Sequence, residues 1–178
     1  PERHPSGLPA GVAVGTVREA LASHPGACGV FLGDPSYVGT TGALAGHAQA
    51  AHEAGVPLIV DAAWAAHMGF HPDLPPHAIA AGADAMVTSA HKALPAYTQG
   101  ALVLARTGLL DPARLDRAFE ATHTTSPAGT IAASIDAARA LLPANPSARL
   151  TVFADQFDEA YPSIPGRLAT SKFFRVKK

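Results

Sequence analysis

In this 178-residue chain, Asp61 and Lys92 are the residues whose types and settings best suit covalent chemistry. Lys92 is the one lysine before Lys172; up to that point the other Lys/Arg cations are all arginine. An arginine- and alanine-rich background explains the arginine excess by itself. A lone lysine in it marks chemistry that arginine cannot do, because lysine can lose its proton and form a Schiff base. Asp61 closes the apolar run Val56-Pro57-Leu58-Ile59-Val60. Taken singly, each has a plainer reading: a helix-capping or loop carboxylate, and an exposed loop lysine. Together they lie 31 residues apart, the length of one strand–helix–strand crossover, which puts them at adjacent or near-adjacent strand ends. Ser89 and His91 flank the lysine with a hydroxyl and an imidazole, groups that suit a phosphate.

A carboxylate, an isolated lysine and phosphate-binding groups at strand ends fit pyridoxal 5′-phosphate. The lysine would take the aldehyde, and the carboxylate would keep the pyridine nitrogen protonated. The ring then draws electrons from a carbanion at the substrate α-carbon.

These residues need a scaffold that brings strand ends together. Val17, Leu21 and Ala22 recur at helical spacing within 15–24. Four short apolar runs read as strands: Gly29–Gly33, Val56–Val60, Ala85–Thr88 and Gly100–Ala105. Helices are expected over 41–54, ending at Gly55, over about 77–82, and near 111–121 and 128–142. The alternation predicts an α/β fold with a mostly parallel sheet and helices on both faces. Ligands of such sheets bind beyond the carboxyl ends of the strands, where Asp61 and Ser89-Ala90-His91-Lys92 fall.

Composition sets the outer bounds. Hydrophobic residues make up 48% and charged residues 15%, which excludes a disordered chain. The formal net charge is −1 and the first 160 residues carry no basic stripe, so no nucleic-acid partner is expected. No apolar run approaches a membrane span, and no membrane partner is expected. The single cysteine, Cys28, excludes an internal disulfide and points to a reducing, cytoplasmic setting. The chain starts at Pro1 without a signal peptide or a methionine and reads as a piece of a longer protein. Residues 144–178 differ in texture, with Phe and Lys rising, and read as a divergent tail after a domain at 1–143.

Other candidates are weaker. His67 and His71 are four apart, but Gly69 and Pro72 oppose a regular helix and no third ligand is evident, so no metal is expected. His67 is expected to face the cofactor pocket or to pack with Trp64. His47 and His52 read as surface or packing residues of a helix. Cys28 reads as a buried small apolar residue. Thr40-Thr41-Gly42 reads as a helix N-cap.

The stretch V-D-A-A-W-A-A-H-M-G-F-H-P-D-L-P (60–75), followed by G-A-D-A-M-V-T-S-A-H-K-A-L-P-A-Y-T-Q-G-A-L (82–102), resembles the major domain of the Orn/Lys/Arg decarboxylases. These are pyridoxal-phosphate enzymes of the aspartate-aminotransferase-like fold. D-P-S-Y-V-G (34–39), T-T-S-P (124–127) and I-D-A-A-R (135–139) match in the same order, so the likeness runs over roughly 15–143.

The resemblance implies roles residue by residue. Lys92 would be the Schiff-base lysine and Asp61 the partner of the pyridine nitrogen. Ala63 would pack on the ring face, and Trp64 would offer its indole N–H to the ring 3′ oxygen. Ser89 and His91 would lie at the phosphate, and Thr124, Thr125 and Ser126 would reach a phosphate or substrate across a dimer interface. The implied reaction is decarboxylation of ornithine, lysine or arginine by a homodimer or higher homo-oligomer. The family's Gly/Ser-rich phosphate loop, ring-stacking histidine and small C-terminal domain have no counterpart here. An aminotransferase or aldolase of the same fold would share Asp61 and Lys92, and a non-catalytic remnant would keep the sheet alone.

Overall fold

A computed structural model describes residues 2–3, 7, 9–106, 108–124, 126 and 128–144. The elements run β1 (Glu2–Arg3), β2 (Pro9–Gly11), α1 (Val14–Ser23), β3 (Val30–Gly33), α2 (Leu44–Glu53), β4 (Leu58–Asp61), β5 (Ala85–Thr88), α3 (Ala90–Ala93), β6 (Leu102–Ala105), α4 (Pro112–Thr122) and α5 (Gly129–Ala144). The tail expected after residue 143 falls almost wholly outside the described residues.

β3, β4, β5 and β6 form one sheet in that order, and β1 pairs with β2 apart from it. β3, β4 and β5 are parallel, with Gly33 opposite Asp61 and Asp61 opposite Val87. β6 runs antiparallel to β5. The sheet is thus open, mostly parallel and α/β, as the alternation of elements predicts.

Alternate residues of these strands face opposite sides. One side carries Leu58, Val60 and Met86, buried with Ala48 and Ala51 of α2 and Ala62, Ala65, Met68, Ala78 and Ala83 of the β4–β5 connection. Alanine suits this layer, since small side chains let α2 lie close to the strands. A second core joins Ala90 and Leu94 of the lysine turn to Ala138 and Leu142 of α5. On the other face Phe31 is 67%, Val87 40% and Val103 42% exposed.

α2 stops before Gly55, whose φ of +73° makes the left-handed turn that ends a helix. α4 opens on Asp111, whose carboxylate accepts the Ala113 N–H, with Pro112 in the first turn. The helix expected at 77–82 is a turn instead. Pro75 and Pro76 precede it, Gly82 ends it at φ +108°, and the His77 ring takes the Ala80 N–H that a longer helix would use. Cys28 is exposed, not buried. The N-cap of α2 is Ala43, without a side-chain cap, so Thr40-Thr41-Gly42 does not cap it.

Candidate active site

β4 and β5 are neighbours, and beyond the last paired residues their chains stay joined. Ala62 N–H donates to the Val87 carbonyl at 2.8 Å. The Thr88 hydroxyl donates to the Ala62 carbonyl at 2.8 Å, and Ser89 N–H reaches the Ala63 carbonyl at 3.4 Å. The loop bearing Asp61, Ala63 and Trp64 is therefore zipped to the one bearing Ser89, His91 and Lys92.

Asp61 is exposed at this end, and its Oδ1 accepts the Ala63 N–H at 3.0 Å. That bond fixes the carboxylate over the loop while leaving it accessible. Lys92 Nζ lies 4.7 Å from the centroid of the Trp64 ring, a cation–π contact. Ala63 and Ser89 are half-buried beside them. His91 accounts for one ring nitrogen: Nδ1 donates to the Gly100 carbonyl at 2.7 Å, which leaves Nε2 as the second ring nitrogen. A neutral ring offers an acceptor there, and an imidazolium offers a donor. Asp61, Ala63, Trp64, Ser89, His91 and Lys92 thus share one end of the sheet. Ser126 N–H bonds Thr124 Oγ1 within a local turn, at 3.3 Å, and Thr125 lies outside the described residues.

His67 is 4% exposed, and burial pulls its imidazole from the ordinary 6.5 down to about 4. It belongs to the interior rather than to an open pocket wall. No group of three or more metal-ligating side chains occurs among the described residues.

The residues read least well from the sequence are Asp34 and His47, both buried. Asp34 follows β3 as Asp61 ends β4, and its N–H donates to the Asp61 carbonyl at 2.9 Å. Its Oδ2 accepts the Gly42 N–H, closing the 34–42 loop at its base. Burial pushes this carboxyl up from the ordinary 3.8, against the opposing pull of the Gly42 bond and of His47. His47 donates from Nε2 to the Val12 carbonyl at 2.8 Å. An acid directly after an apolar strand was a visible signal for Asp34. His47 gave none, because its contact with Val12 crosses 35 residues.

The open, mostly parallel sheet with its helices defines a protein of the α/β class. That fold recurs in the crystal structure of an apo methionine gamma lyase from Micromonospora echinospora. The TM-score is 0.57 at 19% identity, covering 92% of this chain and 46% of that one. A family model described as the Orn/Lys/Arg decarboxylase major domain matches residues 1–174. An arginine decarboxylase of Halalkalibacterium halodurans is 36% identical over 139 residues, 78% of this chain and 28% of its own length. One from Bacillus subtilis (strain 168) is 35% identical over 133 residues, 75% of this chain and 27% of its own. The chain belongs to the Orn/Lys/Arg decarboxylase family and holds part of its major domain. It spans less than a third of the length of these relatives.

Proposed function

We propose that the protein to which this chain belongs decarboxylates a basic amino acid with pyridoxal 5′-phosphate, releasing the amine and carbon dioxide. The observation that carries this is that Asp61 ends β4 while Lys92 lies on α3, directly after the adjacent parallel β5, with Lys92 over the face of Trp64. The donor set fits the cofactor: a fixed, accessible carboxylate for the ring nitrogen, an amine for the aldehyde, and a hydroxyl and imidazole for the phosphate. The cofactor would supply an electron sink for the substrate α-carbon.

The chain's own residues do the rest. Asp61 holds a proton on the ring nitrogen. Lys92 would supply the amine for the aldehyde and, as its ammonium, a proton for the α-carbon that carbon dioxide leaves. Ala63 would leave room for a flat ring, and the Trp64 indole N–H would donate to the ring 3′ oxygen. Ser89 and His91 would hold the phosphate. A carboxylate held in a poorly solvated pocket gains by losing its charge as carbon dioxide. The small-molecule substrate, a homodimer and a cytoplasmic setting form part of the same reading.

Both relatives are named arginine decarboxylases, which makes arginine the first substrate to test. The complete protein, loaded with cofactor, is expected to release carbon dioxide from arginine, lysine or ornithine. Transfer of the amino group to a 2-oxo acid without carbon dioxide would overturn the decarboxylase reading and leave the cofactor assignment standing.

A further inference from the structure

The Ile135–Arg139 motif and Ser134 before it take no part in the chemistry above, yet α5 packs directly on the lysine turn. Ala138 and Leu142 are buried against Ala90 and Leu94. One turn earlier, α5 grips the loop that follows Lys92. Tyr97 N–H donates to Ser134 Oγ at 2.9 Å. The Ser134 hydroxyl donates in turn to the Ile131 carbonyl at 2.7 Å, so its lone pairs are left for Tyr97.

Gly100 completes the grip. A Cβ there would lie 3.0 Å from Ile135 Cδ1 and 3.0 Å from the Tyr97 carbonyl oxygen, tight enough that these neighbours would have to shift by a few tenths of an ångström. Gly100 N–H donates to that Tyr97 carbonyl at 2.8 Å. The Gly100 carbonyl is thereby aimed at His91, accepting its backbone N–H at 3.2 Å and its ring Nδ1–H at 2.7 Å. A carbonyl only accepts, so Nδ1 must carry the proton. Two side chains of α5 thus act on the His91 ring through Tyr97 and Gly100.

We propose that Ser134 is a positioning residue: with Ile135 it holds loop 97–100 so that the Gly100 carbonyl fixes the His91 tautomer and turns Nε2 toward the cofactor phosphate. The phosphate half of this statement rests on the role given to His91 under Proposed function. The tautomer half does not. The path runs through the Ser134 hydroxyl and the Tyr97 and Gly100 carbonyls, so its loss changes the ring's protonation pattern and leaves the core of α5 in place. Threonine at 134 keeps the hydroxyl and is expected to substitute for serine; alanine removes it.

The test uses the 178-residue chain with 15N-labelled histidine. Long-range 1H–15N spectra should show His91 protonated at Nδ1 in the wild type, a tautomer mixture in Ser134→Ala, and the wild-type pattern in Ser134→Thr. Ile135→Val, which loosens the contact with Gly100, should shift the ring the same way as Ser134→Ala and guards against a folding defect in one variant. In parallel, pyridoxal 5′-phosphate and pyridoxal are titrated by absorbance. Ser134→Ala should weaken the phosphorylated aldehyde about 2- to 10-fold, the worth of one hydrogen bond, and leave pyridoxal unchanged. An unaltered His91 tautomer in Ser134→Ala would overturn the proposal, as would equal weakening of both aldehydes. If the wild type bound both aldehydes equally, the phosphate role of His91 would fall, and the spectra alone would decide the tautomer claim.

Discussion

Asp61 and Lys92 carry opposite charges in the same open setting, and each depends on a neighbour for its aim. The Ala63 N–H orients the carboxylate, and the Trp64 face receives the ammonium. Asp61→Asn keeps the shape and can still accept the Ala63 bond, but it removes the charge proposed to hold the ring nitrogen protonated. The expected loss of turnover is about 100-fold or more, in the range of a removed electrostatic stabiliser, with a smaller loss of cofactor affinity. Equal kcat in the two proteins would give Asp61 another role. His67 makes a prediction of opposite kind, about stability. Its imidazole is held at about 4 in the fold against an ordinary 6.5, so the unfolded chain binds the proton first. Stability is full above pH 6.5 and falls as pH drops from 6.5 toward 4, by about 3 kcal/mol in all. His67→Gln should flatten that slope in denaturant melts between pH 4 and 7. The strand-end residues were legible because an acid after an apolar run and a lone lysine are local patterns. The burial of His47 and His67 was not, because it depends on what the β4–β5 connection and Val12 cover.

The elements that position the site draw their stability from two separate cores. The sheet core fixes the strand ends, and the α5 core fixes the turn that bears Lys92. Leu142 is fully buried in the second core, while Leu141 beside it is 42% exposed. Leu142→Ala should cost about 2–5 kcal/mol and Leu141→Ala less than about 0.5, read by chemical denaturation. Similar costs for the two would mean that α5 does not dock as described. The four strands of the main sheet and the long helices were readable from apolar runs and their boundaries, while β1 and β2 were not, because their short segments carry no apolar run. The turn at 78–82 defeats periodicity because prolines, a positive-φ glycine and the His77 side chain end it after one turn. α5's role was hidden for another reason: Ser134 meets Tyr97 across 37 residues, and no local pattern announces such a contact.

At the scale of the molecule, the candidate site lies at one end of the sheet. Phe31, Val87 and Val103 are exposed on one of its faces. Asp84 ties the opposite end together: its Oδ2 takes the Leu58 N–H at 2.9 Å and meets His52 Nε2 at 2.8 Å, joining α2 to the starts of β4 and β5. Among the described residues, no helix is long and apolar enough to cross a membrane. The α/β class was readable from the order of runs, and the exposure of Phe31, Val87 and Val103 was not, because apolar strands look alike whether or not a face is covered. The central claim, that Lys92 is the lysine that bonds the cofactor, has a direct chemical test. The chain is mixed with pyridoxal 5′-phosphate, reduced with borohydride and mapped by peptide mass spectrometry. The pyridoxyl group is expected on Lys92 and is expected to be lost in Lys92→Ala. Labelling at Lys172, Lys177 or Lys178 with Lys92 untouched would contradict it.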